Sequence, residues 1–429
     1  MNILMMTNTF TPHLGGVARS VEAFTEAYRA LGHRVLVVAP EFENMPADEV
    51  DVVRIPAIQR FNGSDFSVVV TTPGYLTSAV EAFHADVVHS HHPFLIGGAA
   101  LRMARAQRLP LVFTHHTMYE RYTHYVPGDS EALKRFVMRL STNYANLCDQ
   151  VFAPSESVAE LLRRRGVVAP LEVVPTGVDL DKFAHGSGAG LRDILGIPRD
   201  AFVVGHLGRL APEKNLDFLG RAACRFLMRV PGAHVLIAGQ GPAEASIRAT
   251  FDDAGLGERL HLAGPLEREF VASAYHAMDL FAFASTSETQ GLVLVEAMAA
   301  GVPVVGLDAP GVREVVVDGH NGRLVRTESV AEFSAALESV AALDAAARQT
   351  LARNAHATAE RFSITACAER ALACYRRLRD TRPRPAKEEF ELWNRTLRLI
   401  EAEWDVLTGM ADAAGAAMSA AKPEDRSPA

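Results

Sequence analysis

The apolar positions of this chain fall into short runs that alternate with longer amphipathic stretches. In the first half, the short runs predict strands at 2–6, 34–39, 86–89, 111–114, 151–153 and 172–174. The stretches at 17–31 and 96–107 have apolar residues at the three- and four-residue spacing of helices. Strands that alternate with helices favour a parallel sheet with helices packed on it.

The same alternation restarts after residue 200. Predicted strands lie at 202–207, 234–238, 260–262, 280–284 and 303–306, and predicted helices at 216–229 and 291–300. Between the two series, Pro175-Thr176-Gly177 has turn chemistry, and the glycine-rich run 185–190 predicts a linker. We therefore predict an α/β chain with two doubly wound sheets and a hinge at 174–179.

Four segments follow from this pattern. They are an N-terminal domain at 1–176, a C-terminal domain at 177–362, a helix at 363–380 that returns towards the N-terminal domain, and a helical extension at 381–429. The extension has an amphipathic helical spacing carried by Phe390, Trp393, Leu397, Ile400, Trp404 and Leu407. It could form a homodimer or pack on its own N-terminal domain, and we favour the second. Residues 422–429 are predicted to be disordered.

The composition limits the classes of protein to which this chain can belong. The 429 residues are 48% hydrophobic, which is sufficient for two cores, and the net charge of −8 disfavours a nucleic-acid partner. The four cysteines have no metal spacing and are expected to be reduced. The chain opens directly into a strand and has no apolar run near ~18 residues. These features predict a cytoplasmic protein and leave attachment to a membrane surface open.

The most informative stretch is 285–305. The predicted helix at 291–300 is apolar after its first residue except for Glu296, and a buried carboxylate needs a hydrogen-bonding partner. Sugar hydroxyls or a structural arginine would serve. Glu288 lies just before the helix N-terminus, where backbone N–H groups favour a phosphate. Glu288 is a candidate ligand for hydroxyls, and its alternative is a solvated loop acid.

Charged groups and glycines follow other predicted strands. Arg209 and Lys214 come after the strand at 202–207 and suit a diphosphate. Their alternative is a pair of surface cations, one of which caps Glu213. Gly15 and Gly16 follow the first strand and could let the backbone approach a phosphate. In open parallel sheets such positions lie at the ligand-binding edge.

Histidines follow two strands of the first half. His115 and His116 come after the strand at 111–114, and His89, His91 and His92 lie at the end of the strand at 86–89. Three clustered histidines suggest a metal, but no carboxylate or cysteine accompanies them at ligand spacing. We predict no metal site, and we interpret these three as lining a site or as structural.

The motifs together resemble a known family. Glu288 and Glu296 with Gly291 between them, followed by Ala-Met-Ala-Ala-Gly-Val-Pro, resemble the donor-site motif of the retaining group 1 glycosyltransferases with the GT-B fold. The segment 208–215, GRLAPEKN, resembles that family's diphosphate-binding segment. The resemblance implies two Rossmann-like domains that face each other across a cleft, plus the helical tail. It implies donor-binding roles for Gly15, Gly16, Arg209, Lys214, Leu266, Gln290, Gly291, Leu292 and Glu296, and catalytic roles for His116 and Glu288.

A second resemblance concerns the acceptor. The segment 114–127, THHTMYERYTHYVP, is similar to a string in bacterial diacylglycerol glucosyltransferases of this family, and Thr176 also fits that subgroup. This places Tyr119 and Tyr122 on the acceptor side. Arginines that could touch anionic lipid heads are Arg102, Arg105, Arg108 and those at 163–165.

The two resemblances imply a retaining, metal-independent hexosyltransferase without a cofactor. Its donor would be a nucleoside diphosphate sugar such as UDP-glucose, and its acceptor a diacylglycerol-type lipid at the inner face of the plasma membrane. Lacking an evident second carboxylate, it would use front-side attack. Three alternatives stay open: a glycosyltransferase with a soluble acceptor, a sugar-nucleotide epimerase and a non-catalytic sugar-nucleotide sensor.

Overall fold

The chain is organised as two units in a computed structural model. The structure describes residues 1–13, 15–58, 68–69, 77–121, 130–286, 288–381, 406, 410, 412 and 413. Unit 1 comprises Met1–Pro175 and Cys367–Ala429, and unit 2 comprises Thr176–Ala366. Tyr122, the six apolar positions of the predicted tail helix and the predicted disorder at 422–429 lie outside the described residues.

Unit 1 contains a seven-stranded sheet in which neighbouring strands are parallel. The strands of this unit are β1 (Asn2–Met6), β2 (Arg34–Pro40), β3 (Val52–Ile55), β4 (Ala57–Ile58), β5 (Val68–Val69), β6 (Val87–Ser90), β7 (Leu111–Thr114), β8 (Gln150–Ala153) and β9 (Leu171–Val173). The order across the sheet is β3-β2-β1-β6-β7-β8-β9, while β4 and β5 form a separate antiparallel pair. Strand order therefore reverses between β1 and β6.

Among the described residues, five α-helices accompany these strands before the chain enters unit 2. They are α1 (Gly16–Ala30), α2 (Thr77–Phe83), α3 (Ile96–Gln107), α4 (Glu131–Leu147) and α5 (Glu156–Arg164). The side chains of Ser130 and Ser155 cap α4 and α5 by accepting hydrogen bonds from the backbone N–H groups of Leu133 and Val158. The capping serines thus fix where these two helices begin.

Unit 2 contains a six-stranded parallel sheet. Its strands are β10 (Val203–Leu207), β11 (His234–Ala238), β12 (Leu260–Gly264), β13 (Leu280–Phe283), β14 (Val304–Leu307) and β15 (Gly322–Val325). Their order is β12-β11-β10-β13-β14-β15, and Gly205 of β10 lies opposite Phe281 of β13. Strand order reverses between β10 and β13, as expected of a doubly wound sheet.

The remaining helices run from the start of unit 2 to the end of the continuous described chain. They are α6 (Leu180–Ala184), α7 (Gly188–Leu195), α8 (Leu216–Arg229), α9 (Glu244–Asp253), α10 (Arg268–His276), α11 (Leu292–Ala299), α12 (Val330–Ala341), α13 (Ala345–Glu360) and α14 (Ile364–Thr381). From Cys367 onward α14 belongs to unit 1. The two predicted Rossmann-like sheets are confirmed.

The prediction of a linker at 185–190 is wrong for its second half. Residues from Gly188 onward form α7, which Ser187 caps by accepting a hydrogen bond from the N–H of Gly190 (3.3 Å). A Cβ on Gly188 would lie 2.1 Å from the carbonyl oxygen of His276, and one on Gly186 would lie 2.6 Å from the ring of the same histidine. These glycines permit close packing on α10, which composition alone does not distinguish from flexibility.

The boundary between the units falls between Pro175 and Thr176. Just after it, the backbone N–H of Val178 donates to the carbonyl of Phe362 (2.8 Å), and the N–H of Ile364 donates to the carbonyl of Val178 (2.9 Å). A Cβ on Gly177 would lie 2.2 Å from the Cα of Ile364. The first and last residues of unit 2 are therefore bonded side by side, and only glycine fits at this position.

The described part of the tail lies on unit 1. Asp412 accepts hydrogen bonds from Arg139 (2.5 Å) and Asn143 (3.0 Å) of α4, and Val406 packs against the hydrophobic core of the unit. Ala413 is fully buried. These contacts correspond to packing on the N-terminal domain, the alternative that the sequence favoured over a homodimer.

Candidate functional site

The carboxyl ends of β10 and β13 flank the point where strand order reverses in unit 2. The chain leaves β10 through Gly208 and Arg209 and then forms a short 3-10 helix, Pro212–Lys214. It leaves β13 through Ser285 and reaches Glu288 just before α11. Ligands of doubly wound sheets bind at this kind of position, so the two predicted segments share one edge of the sheet.

Lys214 and Glu288 form an ion pair across this position. Their side chains are only 21% and 17% exposed, and the Lys214 ammonium lies 6.0 Å from the centroid of the Phe283 ring. The pair is partly shielded from water, which strengthens the attraction between its charges. Tertiary structure thus brings together a cation and a carboxylate that are 74 positions apart.

Arg209 forms an ion pair with Glu213, four residues ahead of it. The Arg209 side chain is 53% exposed, so the pair contributes little to stability. The sequence left open that Arg209 and Lys214 are surface cations, one of which caps Glu213, and the pairing of Arg209 with Glu213 agrees with that alternative. The guanidinium still lies at the carboxyl end of β10, on the same turn as Lys214.

The turn that carries Arg209 is held against the turn after β11. The N–H of Gly208 donates to the carbonyl of Ala238 (3.0 Å), and the N–H of Leu210 donates to the carbonyl of Gln240 (2.9 Å). Gly239 has φ +136°, and a Cβ there would lie 1.8 Å from the carbonyl oxygen of Gly208. Glycine at this position therefore allows the close approach that fixes the Arg209 turn.

Helix α11 begins immediately after Gly291, which adopts a left-handed conformation with φ +69°. A Cβ on Gly291 would lie 2.9 Å from a methyl carbon of Leu294. Leu292, the first residue of the helix, is half-buried, and so is Leu266 in the turn after β12. The free N–H groups of this helix start form a favourable position for an anion beside Glu288.

Glu296 is buried in α11, as its apolar neighbours predicted, with 8% exposure. The hydroxyl of Tyr275, on α10, donates a hydrogen bond to its carboxylate (2.8 Å). This partner is thus neither a sugar hydroxyl nor an arginine, the two that the sequence suggests. A tyrosine 21 positions away has no sequence pattern that would identify it.

The side chain of Gln290 is hydrogen-bonded within unit 2. Its amide group donates to the carbonyl of Thr176 (2.6 Å), and its carbonyl accepts from the N–H of Thr176 (2.6 Å). Both polar groups of a buried side chain therefore hold the first residue of the unit. These two bonds use one of the two N–H groups of the amide and one of the two lone pairs of its oxygen.

His206 is a residue that sequence reasoning missed. It lies buried on β10, its Nδ1 is 3.1 Å from the carbonyl of Ala282, and its Nε2 has no hydrogen-bond partner among the described residues. Burial lowers the pKa of His206 to about 4; the charge of Lys214 acts in the same direction, while the Ala282 carbonyl and Glu288 oppose the shift. The one signal in the sequence was a histidine within an otherwise apolar strand.

Gly15 and Gly16 join the loop after β1 to α1. Gly15 has φ −157°, an extended conformation open to any residue, and Gly16 is the first residue of the helix. A Cβ on Gly16 would have no atom within 4 Å. Neither backbone conformation nor packing within the described chain accounts for glycine at position 16.

The carboxyl ends of β6 and β7 bring several histidines together in unit 1. Nδ1 of His91 lies 2.9 Å from Nε2 of His116, and the rings of His89 and His91 are 4.1 Å apart. His89 is anchored at both nitrogens, by the Thr114 hydroxyl at 2.7 Å and the Tyr375 hydroxyl at 2.6 Å. Tyr375 lies on α14, so a helix from the far end of the sequence completes this cluster.

Burial keeps these histidines neutral. It lowers the pKa of His89 and of His92 to about 3 and that of His115 to about 4. The pKa values of His91 and His116 are also held well below the usual value, first by burial and then by neighbouring histidines. Within the part of the chain that the structure describes, no group of three or more His, Cys, Asp or Glu side chains could hold a metal ion.

Tyr119 begins a short 3-10 helix, Tyr119–Arg121, just beyond β7. Its ring meets those of Phe94 and His115 edge-on at 4.9 and 5.6 Å. Its hydroxyl is buried without a hydrogen-bond partner among the described residues, and burial raises its pKa. Tyr119 therefore carries a neutral polar group next to the histidine cluster.

Family models match both halves of the chain. A model described as Glycosyltransferase Family 4 matches residues 14–182, and one described as Glycosyl transferases group 1 matches residues 190–358. The alpha-monoglucosyldiacylglycerol synthase of Acholeplasma laidlawii is 31% identical over 339 residues, which cover 75% of this chain and 84% of that protein. The D-inositol 3-phosphate glycosyltransferase of Mycolicibacterium smegmatis is 32% identical over 408 residues, covering 90% and 89%.

A solved structure has the same architecture. The structure of Anabaena HepE in complex with UDP has a TM-score of 0.69 and 23% identity, and it covers 88% of this chain and 100% of that one. With the two doubly wound sheets, this likeness confirms the predicted GT-B fold.

Proposed function

Because this chain belongs to the group 1 glycosyltransferases, we propose that it transfers a hexose from a UDP-hexose to a hydroxyl of diacylglycerol. The transfer retains the configuration of the anomeric carbon and needs neither a metal ion nor a cofactor. The observation that carries the donor half of this proposal is the pairing of Lys214 with Glu288 beside the start of α11. The acceptor half rests on the similarity to the Acholeplasma laidlawii synthase.

Each polar group at the carboxyl edge of unit 2 has a role in the proposal. Lys214 and Arg209 bind the diphosphate and stabilise its charge as it leaves. Glu288 and the N–H groups at the start of α11 bind the sugar, and Glu296 binds the ribose. Lys214 is paired with Glu288 and Arg209 with Glu213, so binding of the diphosphate exchanges one set of charge-assisted contacts for another.

Unit 1 supplies the acceptor side of the proposed reaction. His116 touches the transferred sugar, Gly15 and Gly16 allow the backbone to approach the phosphates, and Tyr119 lies on the acceptor side. Retention proceeds by front-side attack. The acceptor oxygen bonds to the anomeric carbon, the bond from that carbon to the phosphate oxygen breaks, and the proton passes to the released diphosphate.

We further propose that the protein works from the cytoplasm at the inner face of the plasma membrane. In unit 1, Arg164 is exposed and Val168, four residues later in the chain, is 84% exposed, so the surface carries both a cation and an apolar side chain. Cations near anionic lipid contribute roughly 1 kcal/mol each. Within the described residues, no helix has both the length and the apolar character needed to cross a membrane.

A soluble acceptor is the second candidate function. The similarity to the Mycolicibacterium smegmatis D-inositol 3-phosphate glycosyltransferase extends over more of the chain than the similarity to the lipid enzyme. An inositol phosphate would be held by cations of unit 1 rather than by a membrane surface. The two candidates share the donor site and differ only in the acceptor.

One experiment separates these possibilities. Purified protein is incubated with labelled UDP-glucose and either diacylglycerol vesicles, D-inositol 3-phosphate or buffer, with and without EDTA. We expect labelled glucosyl-diacylglycerol of α configuration in amounts that EDTA does not change. Product only with the inositol phosphate would establish the second candidate, whereas an epimerised nucleotide sugar or no product would contradict both. Flotation of the protein with anionic vesicles at low salt tests the membrane location.

A further inference from the structure

His91 and His116 share one hydrogen bond in unit 1. Nδ1 of His91 lies 2.9 Å from Nε2 of His116, and the two rings stack with an interplanar angle of 27°. His91 follows β6 and His116 follows β7, which are neighbours in the sheet. Among the described residues this is the one hydrogen bond that His116 makes.

The shared bond restricts where the ring protons can be. Burial lowers the pKa values of both histidines, so both rings are neutral near pH 7 and each carries one proton. In the first arrangement, His91 Nδ1–H donates to His116 Nε2, and the proton of His116 is on Nδ1. In the second, His116 Nε2–H donates to His91 Nδ1, and the proton of His91 is on Nε2.

The second nitrogen of His91 discriminates between these arrangements. Its Nε2 is buried and has no hydrogen-bond partner among the described residues. The second arrangement would leave a buried N–H without an acceptor, whereas the first leaves only a bare lone pair. Proteins tolerate an unused acceptor better than an orphaned N–H, and the first arrangement is therefore favoured.

We propose that His91 is a positioning residue that sets the tautomer of His116, so that His116 offers an Nδ1–H donor to the transferred sugar. The contact with the sugar rests on the proposed function, while the tautomer itself does not. With Nδ1 protonated and Nε2 engaged, the neutral His116 has no free nitrogen to accept the acceptor's proton. That proton must leave with the diphosphate.

The surroundings of His91 hold its ring in place. His89, whose ring lies 4.1 Å away, is bonded at one nitrogen to Thr114 and at the other to Tyr375. Tyr375 in turn lies 3.1 Å, oxygen to oxygen, from Tyr28 of α1. His91 therefore lies tilted against a ring that three elements of unit 1 fix in position.

The tautomer can be measured directly on the whole protein without substrate. Histidine labelled with 15N in the ring is incorporated, and the His116 signals are identified as those lost in His116→Gln. We expect a protonated, pyrrole-type Nδ1 and a bare, pyridine-type Nε2 on His116. The reverse pattern would overturn the proposal, and neither result depends on transferase activity.

Two replacements of His91 test the consequence for turnover. His91→Asn keeps an N–H donor near the position of Nδ1, whereas His91→Leu has similar bulk and no donor. We expect kcat of the Asn variant within about twofold of wild type and kcat of the Leu variant lower by about 3- to 10-fold, the loss of one neutral hydrogen bond. Equal kcat for Asn and Leu would contradict the proposal. If the Leu variant does not fold, the spectrum of the Asn variant decides, because His116 should keep its tautomer there.

Discussion

Lys214 and Glu288 form a partly buried ion pair, although one follows β10 and the other follows β13. The two strands are neighbours at the point where the sheet order of unit 2 reverses. The pair neutralises two charges that would otherwise be poorly solvated. It also places a cation next to a carboxylate, and under the proposed function these two groups bind the phosphate and the hydroxyls of a nucleoside diphosphate sugar.

Replacing the cations should weaken use of the donor. We expect Lys214→Ala and Arg209→Ala each to lower kcat/KM by about 2–3 kcal/mol, because each removes a charge-assisted contact with the diphosphate. Lys182→Ala is the matched control, since Lys182 is exposed and pairs only weakly with Asp179 at 3.3 Å. Steady-state kinetics with UDP-glucose at fixed acceptor provide the measurement. Unchanged kinetics in either Lys214→Ala or Arg209→Ala would remove the diphosphate assignment.

Glu288→Gln should lower turnover without unfolding the protein. The amide keeps the size of the side chain but loses the charge that pairs with Lys214 and receives hydroxyl hydrogen bonds. We expect kcat to fall by at least tenfold, while the thermal midpoint stays within a few degrees of wild type. Normal turnover would show that Glu288 is only a structural partner of Lys214.

Glu296→Ala should mainly weaken nucleotide binding. The carboxylate is buried and accepts a hydrogen bond from Tyr275, so it is preorganised for a ribose hydroxyl. We expect UDP affinity to fall by about 1.5–3 kcal/mol in calorimetry, the range for a hydrogen bond to a charged group. Tyr275→Phe is the control, because it removes the structural partner and leaves the carboxylate. A variant Glu296→Ala that binds UDP like wild type would refute the ribose role.

Gly16→Ala separates folding from ligand approach. A Cβ at this helical position meets no atom within 4 Å, and alanine favours helix by up to ~1 kcal/mol over glycine. The thermal midpoint should therefore stay the same or rise, while kcat/KM for the donor falls. Gly220→Ala, inside α8 with its nearest neighbouring atom 3.7 Å from the added Cβ, is the matched control and should keep wild-type kinetics. Wild-type kinetics for Gly16→Ala would contradict the glycine-loop assignment.

Stability should fall in mild acid. The buried His89, His92 and His115 have pKa values of about 3, 3 and 4, below the unfolded value near 6.5. The unfolded chain therefore takes up protons first, so the stability present above pH 6.5 is lost as pH falls towards 4. Each histidine contributes up to about 1.4 kcal/mol per pH unit.

Urea unfolding at several pH values measures this dependence. His92→Gln should reduce the slope between pH 6.5 and 4, and His185→Gln, at an exposed position, is the matched control. A stability that does not change over this range would contradict the neutral state of the cluster.

The sequence by itself determined the architecture and most of the candidate residues. Where alternating apolar runs predicted an element, its position was close, with α3, α8 and β11 predicted at their observed bounds, whereas β3, α4, α5 and α10 were not predicted. Hydrophobic periodicity is a local property of the chain, so it can be recognised without knowing which elements pack against each other. The resemblance around Glu288 and Glu296 likewise depends on spacing within one segment.

Only the tertiary structure decided which distant groups meet. Three hydrogen bonds join residues that are 21 to 286 positions apart in the chain. They link Tyr275 to Glu296, Gln290 to Thr176 and Tyr375 to His89. No periodicity encodes such contacts, because they depend on strand order and on the packing of helices over the sheet edge. Gly186 and Gly188 show the same limit. Their composition indicated a flexible linker, whereas in the structure they pack closely against α10. A residue without a side chain permits close contact as well as conformational freedom.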